Sequence, residues 1–225
     1  MSSFSDRRVL ALAALGLASA FCAALLAARW AYSTPGAYAF LLWNLFLAWI
    51  PVVAAVLVYD GQRRGARLRR LVPLAGVWLL FLPNAPYLLT DVMHLGSRND
   101  APLWFDIVLF TAFAWVGTLL GFLSIYLVQS VVRRAAGAAW SWAVVLASLV
   151  ASSFGIYLGR ALRWNSWDFF ARPHELLADI WQRVADPLAY PRGVGMTLAL
   201  TALLSVLYLA LYAFAQLPAL ERTRR

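Results

Sequence analysis

LWFDIVLFTAFAWVGTLLGFLSIYLVQSVV, residues 103–132, decides what kind of protein this chain is. From Ile107 to Val128 no side chain is charged, and apolar residues fall on every side of a helical projection. A helix hydrophobic all round is either buried in a large protein or surrounded by lipid. This run exceeds the ~20 residues needed to cross a hydrocarbon core. Asp100 and Pro102 suit a helix start, and Arg133-Arg134 close the run with charge.

The same reading extends in both directions. Apolar runs predict spans over about 9–28, 38–59, 71–90, 138–159 and 194–217, in addition to 103–132. The first run follows Arg7 and Arg8 and ends in small residues, as a signal peptide does, but it is longer than the ~7–15 residues of a signal core. It is therefore read as a span. Hydrophobic residues make up 63% of the chain and charged residues 13%, too little polar surface for a soluble domain of 225 residues. The predicted fold is all-α: a polytopic membrane helix bundle of about six transmembrane helices, forming one domain. The third span is irregular, because Pro83-Asn84-Ala85-Pro86 interrupts it. Pro173 to Ala185 predicts a short amphipathic helix lying on the bilayer surface, with Leu176, Leu177, Ile180, Trp181 and Val184 at helical spacing. Cys22 is the only cysteine, so no intrachain disulfide is possible.

Charge placement predicts orientation. Every basic residue is arginine. With the N-terminus inside, twelve arginines border the inner face (Arg7, Arg8, Arg63, Arg64, Arg67, Arg69, Arg70, Arg133, Arg134, Arg222, Arg224 and Arg225) and seven the outer face. Three of the ten acids fall inside, so 12 − 3 places the whole net charge of +9 on that face. Arginine bias toward the cytoplasm orients spans, which puts both termini in the cytoplasm. Basic residues there attract anionic lipid. Membrane lipids are thus the implied partner, and nucleic acid is not needed to explain the charge.

Three polar clusters gather on the outer side. In the first, Asn84, Tyr87, Asp91 and His94 follow the prolines. Broken membrane helices expose backbone carbonyls and often line a site. Continued helix would set Asp91 and His94 on one face, where Asp91 could orient His94 as a base. The plainer reading is a kink with an ordinary helix end, and two ligands are too few for a metal. In the second cluster, Asp106 lies near the start of the fourth span, where an acid also suits the helix dipole. The third cluster holds Arg160, Arg163, Asn165, Trp167 and Asp168, after a Gly155/Gly159 ridge that allows close helix packing. Arg160 and Arg163 are expected on one helical face. There they can hold a phosphate or carboxylate by fork-like hydrogen bonds, or act as struts to Asp91, Asp106 or Asp168.

Two long motifs resemble a known family. They are Phe81-Leu82-Pro83-Asn84-Ala85-Pro86-Tyr87-Leu88-Leu89-Thr90-Asp91 with His94-Leu95, and Ser153-Phe154-Gly155-Ile156-Tyr157-Leu158-Gly159-Arg160 through Arg163-Trp164-Asn165-Ser166-Trp167-Asp168. The chain resembles the domain-of-unknown-function 1361 family of bacterial multi-pass membrane proteins, from about the second span to the sixth. The resemblance implies a bacterial inner-membrane location and brings no activity, cofactor or catalytic residue with it.

These residues define the functional expectations. Asp91, His94 and Asp106 are the candidate catalytic groups. Asn84, Tyr87, Arg160, Arg163, Asn165, Trp167 and Asp168 are the candidate ligand-binding groups, for an anionic or lipid-linked ligand at the outer face. A non-catalytic scaffold or assembly partner is the alternative, motivated by the glycine ridge and the aromatic surface. A small transporter subunit is the third reading; the lack of charge at the membrane midplane counts against it.

Overall fold

The computed structural model describes residues 4–96 and 100–223. Arg98, Arg224 and Arg225, which enter the charge count above, lie outside the described residues, as do the side chains of Asp6, Arg7, Glu221 and Arg222. The described residues form helices and turns with no strand. Six helical stretches are long and apolar enough to cross a membrane: Arg8–Tyr32, Phe40–Arg63, Arg69–His94, Leu103–Ala136, Ala138–Leu162 and Pro191–Gln216. The chain is a multi-pass membrane protein with a polytopic helical architecture. It divides into two compact units, Met1–Val131 and Val132–Arg225.

The first unit is built from α1 (Phe4–Tyr32), α2 (Phe40–Arg63), α3 (Leu68–Phe81), α4 (Asn84–Tyr87), a 3₁₀ turn (Leu88–His94) and α5 (Leu103–Ala136). Its core joins Cys22 and Leu26 of α1, Leu41, Leu45, Ala48 and Val52 of α2, Ala85 and Leu88 of the broken span, and Leu109, Phe110, Phe113 and Leu120 of α5. Polar side chains tie the helices together inside this apolar frame. Trp49 donates to the Ser19 hydroxyl at 3.1 Å, and Trp78 to the Ser124 hydroxyl at 3.2 Å. Arg8 pairs with Asp60, so the start of α1 meets the end of α2 as an antiparallel neighbour.

The proline break falls where the sequence places it. α3 stops at Phe81, and the chain continues through α4 and the 3₁₀ turn to His94. Freed carbonyls must find donors at membrane depth. Asn84 Nδ2 donates to the Phe81 carbonyl at 3.0 Å, and Thr90 Oγ1 to the Tyr87 carbonyl at 2.7 Å. The broken segment packs into a notch on α5 made by Gly117 and Gly121. A Cβ on Gly117 would meet the Ala85 carbonyl oxygen and Leu88 Cδ1 at 2.5 Å, and one on Gly121 would meet Ala85 Cβ at 3.2 Å. Small residues four apart let backbones approach closely.

The second unit holds α6 (Ala138–Leu162), α7 (Asp168–Ala171), α8 (Pro173–Ala185), a 3₁₀ turn (Pro187–Ala189) and α9 (Pro191–Thr223). The amphipathic helix predicted over 173–185 is α8. Leu176 is its buried anchor, packed with Tyr157 and Leu158 of α6; Ile180, Trp164 and Met196 cover that cluster. Leu177, Trp181 and Val184 remain exposed on another face. α8 therefore carries two apolar stripes: one pins it to its own unit and the other faces outward.

Candidate functional site

The most heavily partnered charge in the first unit is Arg29, which follows directly on the first predicted span, 9–28. α1 instead runs on to Tyr32, and Arg29 lies inside it with 0% exposure. The physical reason is its set of partners. Its Nε donates to Asp106 Oδ1 at 2.6 Å and its Nη2 to Asp106 Oδ2 at 3.1 Å, a bidentate fork. Nη2 also reaches Asp100 Oδ1 at 2.9 Å, and Nη1 donates to the Ser33 hydroxyl at 2.6 Å. The guanidinium sits 4.7 Å from the centre of the Tyr38 ring. Planar, multi-donor recognition of this kind is what arginine does better than lysine.

The backbone bends to complete the arrangement. Tyr38 has φ 59°, a left-handed conformation uncommon for a residue with a Cβ. Its buried ring packs edge-on to Phe110 at 4.9 Å, and its hydroxyl donates to Asp106 Oδ2 at 3.4 Å. Thr34 N donates to Asp100 Oδ2 at 3.1 Å. Hydrogen bonding from Thr34, and then from the Arg29 guanidinium, holds the Asp100 carboxyl well below the usual range. Asp106, 1% exposed, is thus fully engaged by Arg29 and Tyr38. A sequence signal for Arg29 existed: a charge continuing an apolar run directly, which implies a partner within the bundle.

Asp91 lies in the same unit, 1% exposed, and accepts from Asn44 Nδ2 of α2 at 2.9 Å. Asn44 thereby ties α2 to the broken third span. His94 ends the 3₁₀ turn with its ring 5.0 Å from Phe40. In a 3₁₀ turn residues three apart are eclipsed, so Asp91 and His94 are stacked on one edge of the segment. Tyr87 closes α4, one residue after the buried Pro86. Among the described residues, no group of three His, Cys, Asp or Glu side chains is placed to hold a metal ion.

The third cluster belongs to the second unit. α6 ends at Leu162, and Arg163 takes the left-handed position after it with φ 62°. Arg163 therefore leaves the helical face that Arg160 occupies, because the chain turns there; Trp164 N closes the turn on the Leu158 carbonyl at 3.2 Å. Asp168 is buried and accepts from Asn165 N at 2.8 Å and from Arg172 at 3.2 Å. Burial alone would raise its carboxyl; the Asn165 N–H and Arg172 outweigh burial and leave it below the usual range. Asp179 accepts from Trp164 Nε1 at 2.7 Å and pairs with Arg183 at 3.2 Å. Arg172 stacks over Trp164, 4.6 Å from the ring centre. Arg163 is exposed and makes no ion pair among the described residues. Trp167, Phe169 and Phe170 are exposed beside this turn.

The strut role considered for Arg160 and Arg163 toward Asp106 and Asp168 is filled by other arginines. Arg29 holds Asp106, and Arg172 holds Asp168. Local spacing could not distinguish these partners, since Arg29 and Asp106 are 77 residues apart in the chain.

No curated protein and no solved structure matches the chain. The family described as Protein of unknown function (DUF1361) matches residues 43–209, a stretch that holds the broken span, Asp106 and the whole α6–α8 cluster but begins after Arg29. That match covers most of the sequence, and the chain belongs to this family.

Proposed function

We propose that this protein binds an anionic, lipid-linked or amphipathic molecule at the headgroup level of a bacterial inner membrane, on the extracytoplasmic side. The groups that take the ligand are those at the end of α6: Arg160, Arg163, Asn165 and Trp167. The observation that carries the reading is Arg163. Its neighbouring carboxylates are already committed, Asp168 to Asn165 and Arg172, and Asp179 to Trp164 and Arg183. An exposed guanidinium left over beside aromatic side chains at the edge of a span suits a phosphate or carboxylate on an amphiphile. The arginine bias toward the opposite face supports the orientation, with both termini cytoplasmic.

The test is purification of the full chain in native-membrane nanodiscs, followed by identification of what stays bound. Wild type should retain an anionic amphiphile, and Arg163→Ala should lose most of it at unchanged protein yield. Equal retention by both would sink the reading. Cysteine labelling of a Cys22→Ala protein at each loop checks the orientation.

A second reading, a non-catalytic scaffold, is favoured by one specific observation. The buried carboxylates of the first unit, Asp91 and Asp106, are each held by a neighbouring helix in an arrangement that needs no ligand. A stoichiometric protein partner that survives purification of Arg163→Ala would favour it over ligand binding.

A further inference from the structure

α6 and α9 pack as an antiparallel pair whose register two contacts define. A Cβ on Gly193 would fall 2.6 Å from the Tyr157 ring, so Gly193 lies against Tyr157. Trp142 meets Tyr208 at 6.3 Å and Tyr212 at 4.9 Å between ring centres. Stepping back from Tyr157 to Trp142 (157 − 142 = 15) matches stepping forward from Gly193 to Tyr208 (208 − 193 = 15). In that register Ser153 lies opposite Thr197, and Leu149 opposite Thr201. Gly193, Thr197, Thr201, Leu204 and Tyr208 follow one face of α9 at helical spacing.

This face carries a row of buried hydroxyls. Ser153 Oγ, Thr197 Oγ1, Thr201 Oγ1 and Ser205 Oγ are all buried without a hydrogen-bond partner, and Ser153 is 0% exposed. The usual remedy in a helix is a bond back to the carbonyl of the preceding turn. α6 uses it at Ser148, which donates to Val144 at 2.6 Å, and at Ser141, which donates to Ala138 at 2.7 Å. The seam hydroxyls do not. Thr201 lies about 15 Å along α9 from Pro191, well inside a span, where neither bulk water nor headgroups can serve it.

We propose that the α6–α9 seam is a hydration site, holding a short file of water molecules at the middle of the membrane. Spacing carries the argument. Hydroxyls at 197, 201 and 205 are successive turns apart, about 6 Å. That is twice the ~2.8 Å reach of an O–H···O bond, so one water spans each gap, donating and accepting as a hydroxyl does. Ser153 adds a contact from the facing helix at the level of Thr197. Between Thr197 and Ser205 the two helices carry neither a carboxylate nor a cation, and helical carbonyls are already bonded, so a neutral molecule that both donates and accepts is the chemistry this row takes. Buried waters typically make about three hydrogen bonds to otherwise unsatisfied groups.

The experiment is magnetisation transfer from water to threonine methyls, in full-length protein with labelled Thr and Leu methyls in lipid nanodiscs. Thr197 and Thr201 methyls should receive transfer several-fold stronger than those of Leu203, which lies at similar depth but faces outward. Thr201→Val keeps the shape and removes the hydroxyl, and should weaken the transfer at Thr197, since the water in the gap between 197 and 201 loses one of its two hydroxyl partners. Transfer at Thr197 and Thr201 no stronger than at Leu203 would overturn the proposal. Transfer from a co-purified polyol instead of water would overturn the assignment to water. Should Thr201→Val fail to fold, the wild-type comparison with Leu203 still decides.

Discussion

Arg29 and Arg163 each stand at the end of a membrane-spanning helix, and the two units treat them in opposite ways. Arg29 is fully buried, with five side-chain contacts from four residues closing around its guanidinium. Arg163 is exposed, turned off its helix by its own left-handed backbone, with its neighbouring carboxylates spent elsewhere. The difference teaches how position along a span sets an arginine's task. One turn inside the helix, a charge away from water must be neutralised and hydrogen-bonded by the fold itself. One residue beyond the helix, solvent and headgroups can serve it, and the fold leaves it available.

The largest expected effect is the loss of the buried partner. Arg29→Met strands Asp106 among apolar side chains and should cost about 3–5 kcal/mol of stability, read by unfolding in detergent micelles. Arg29→Met with Asp106→Leu should recover most of that loss, because replacing a whole buried pair by apolar groups is often close to neutral. A double variant as unstable as the single would mean that the network, and not the pair, is the structural unit.

Next in size is the notch that seats the broken span. Gly117→Ala forces a methyl against the Ala85 carbonyl, a backbone atom that cannot swing away, and overpacking of this kind costs about 1–3 kcal/mol. Gly121→Ala, with its closest neighbour at 3.2 Å, should cost less. The order of the two midpoints checks it.

Asn44→Ala removes one donor from buried Asp91 and should destabilise by about 1–3 kcal/mol, the cost of an acceptor left short. An equal loss in Asp91→Asn would fit a purely structural pair. Abundant, folded Asp91→Asn protein with altered ligand retention would instead return Asp91 to the site.

Acid acts on both units. Asp100 and Asp168 both titrate below their ordinary value of 3.8 in the folded protein. A depressed carboxyl stabilises fully above that ordinary value, and its contribution disappears as the pH falls through the lower, folded value. Unfolding midpoints should be flat above about pH 5 and decline below about pH 4. Asp100→Asn should flatten part of that decline.

Arg163→Ala is expected to have the smallest effect on stability, within about 0.5 kcal/mol, as for exposed sites without special contacts. Its effect should fall on ligand retention. A large stability loss would show that Arg163 is a structural partner after all and would erase its contrast with Arg29.

Much of the frame was readable from local chemistry. Six apolar runs, the proline break and the α8 span over 173–185 all follow from length, proline placement and helical period, which act within a few turns of chain. What reading missed was of another kind. Arg29 looked like a loop residue because nothing within ten positions of it could neutralise it. The Gly117/Gly121 notch was invisible beside the more conspicuous Gly155/Gly159 pair, because a glycine's purpose depends on what packs against it. Arg163 was placed on a helical face because period continues on paper past the residue where the backbone turns.

The sequence by itself determined that this chain lives in a membrane, how many times it can cross, and where its third crossing breaks. These are consequences of transfer free energy and backbone hydrogen bonding, which each segment settles alone. Only the tertiary structure decided which charges are struts and which remain available. That choice depends on partners brought together from 77 residues away, and a buried charge is stable or ruinous according to whether they arrive.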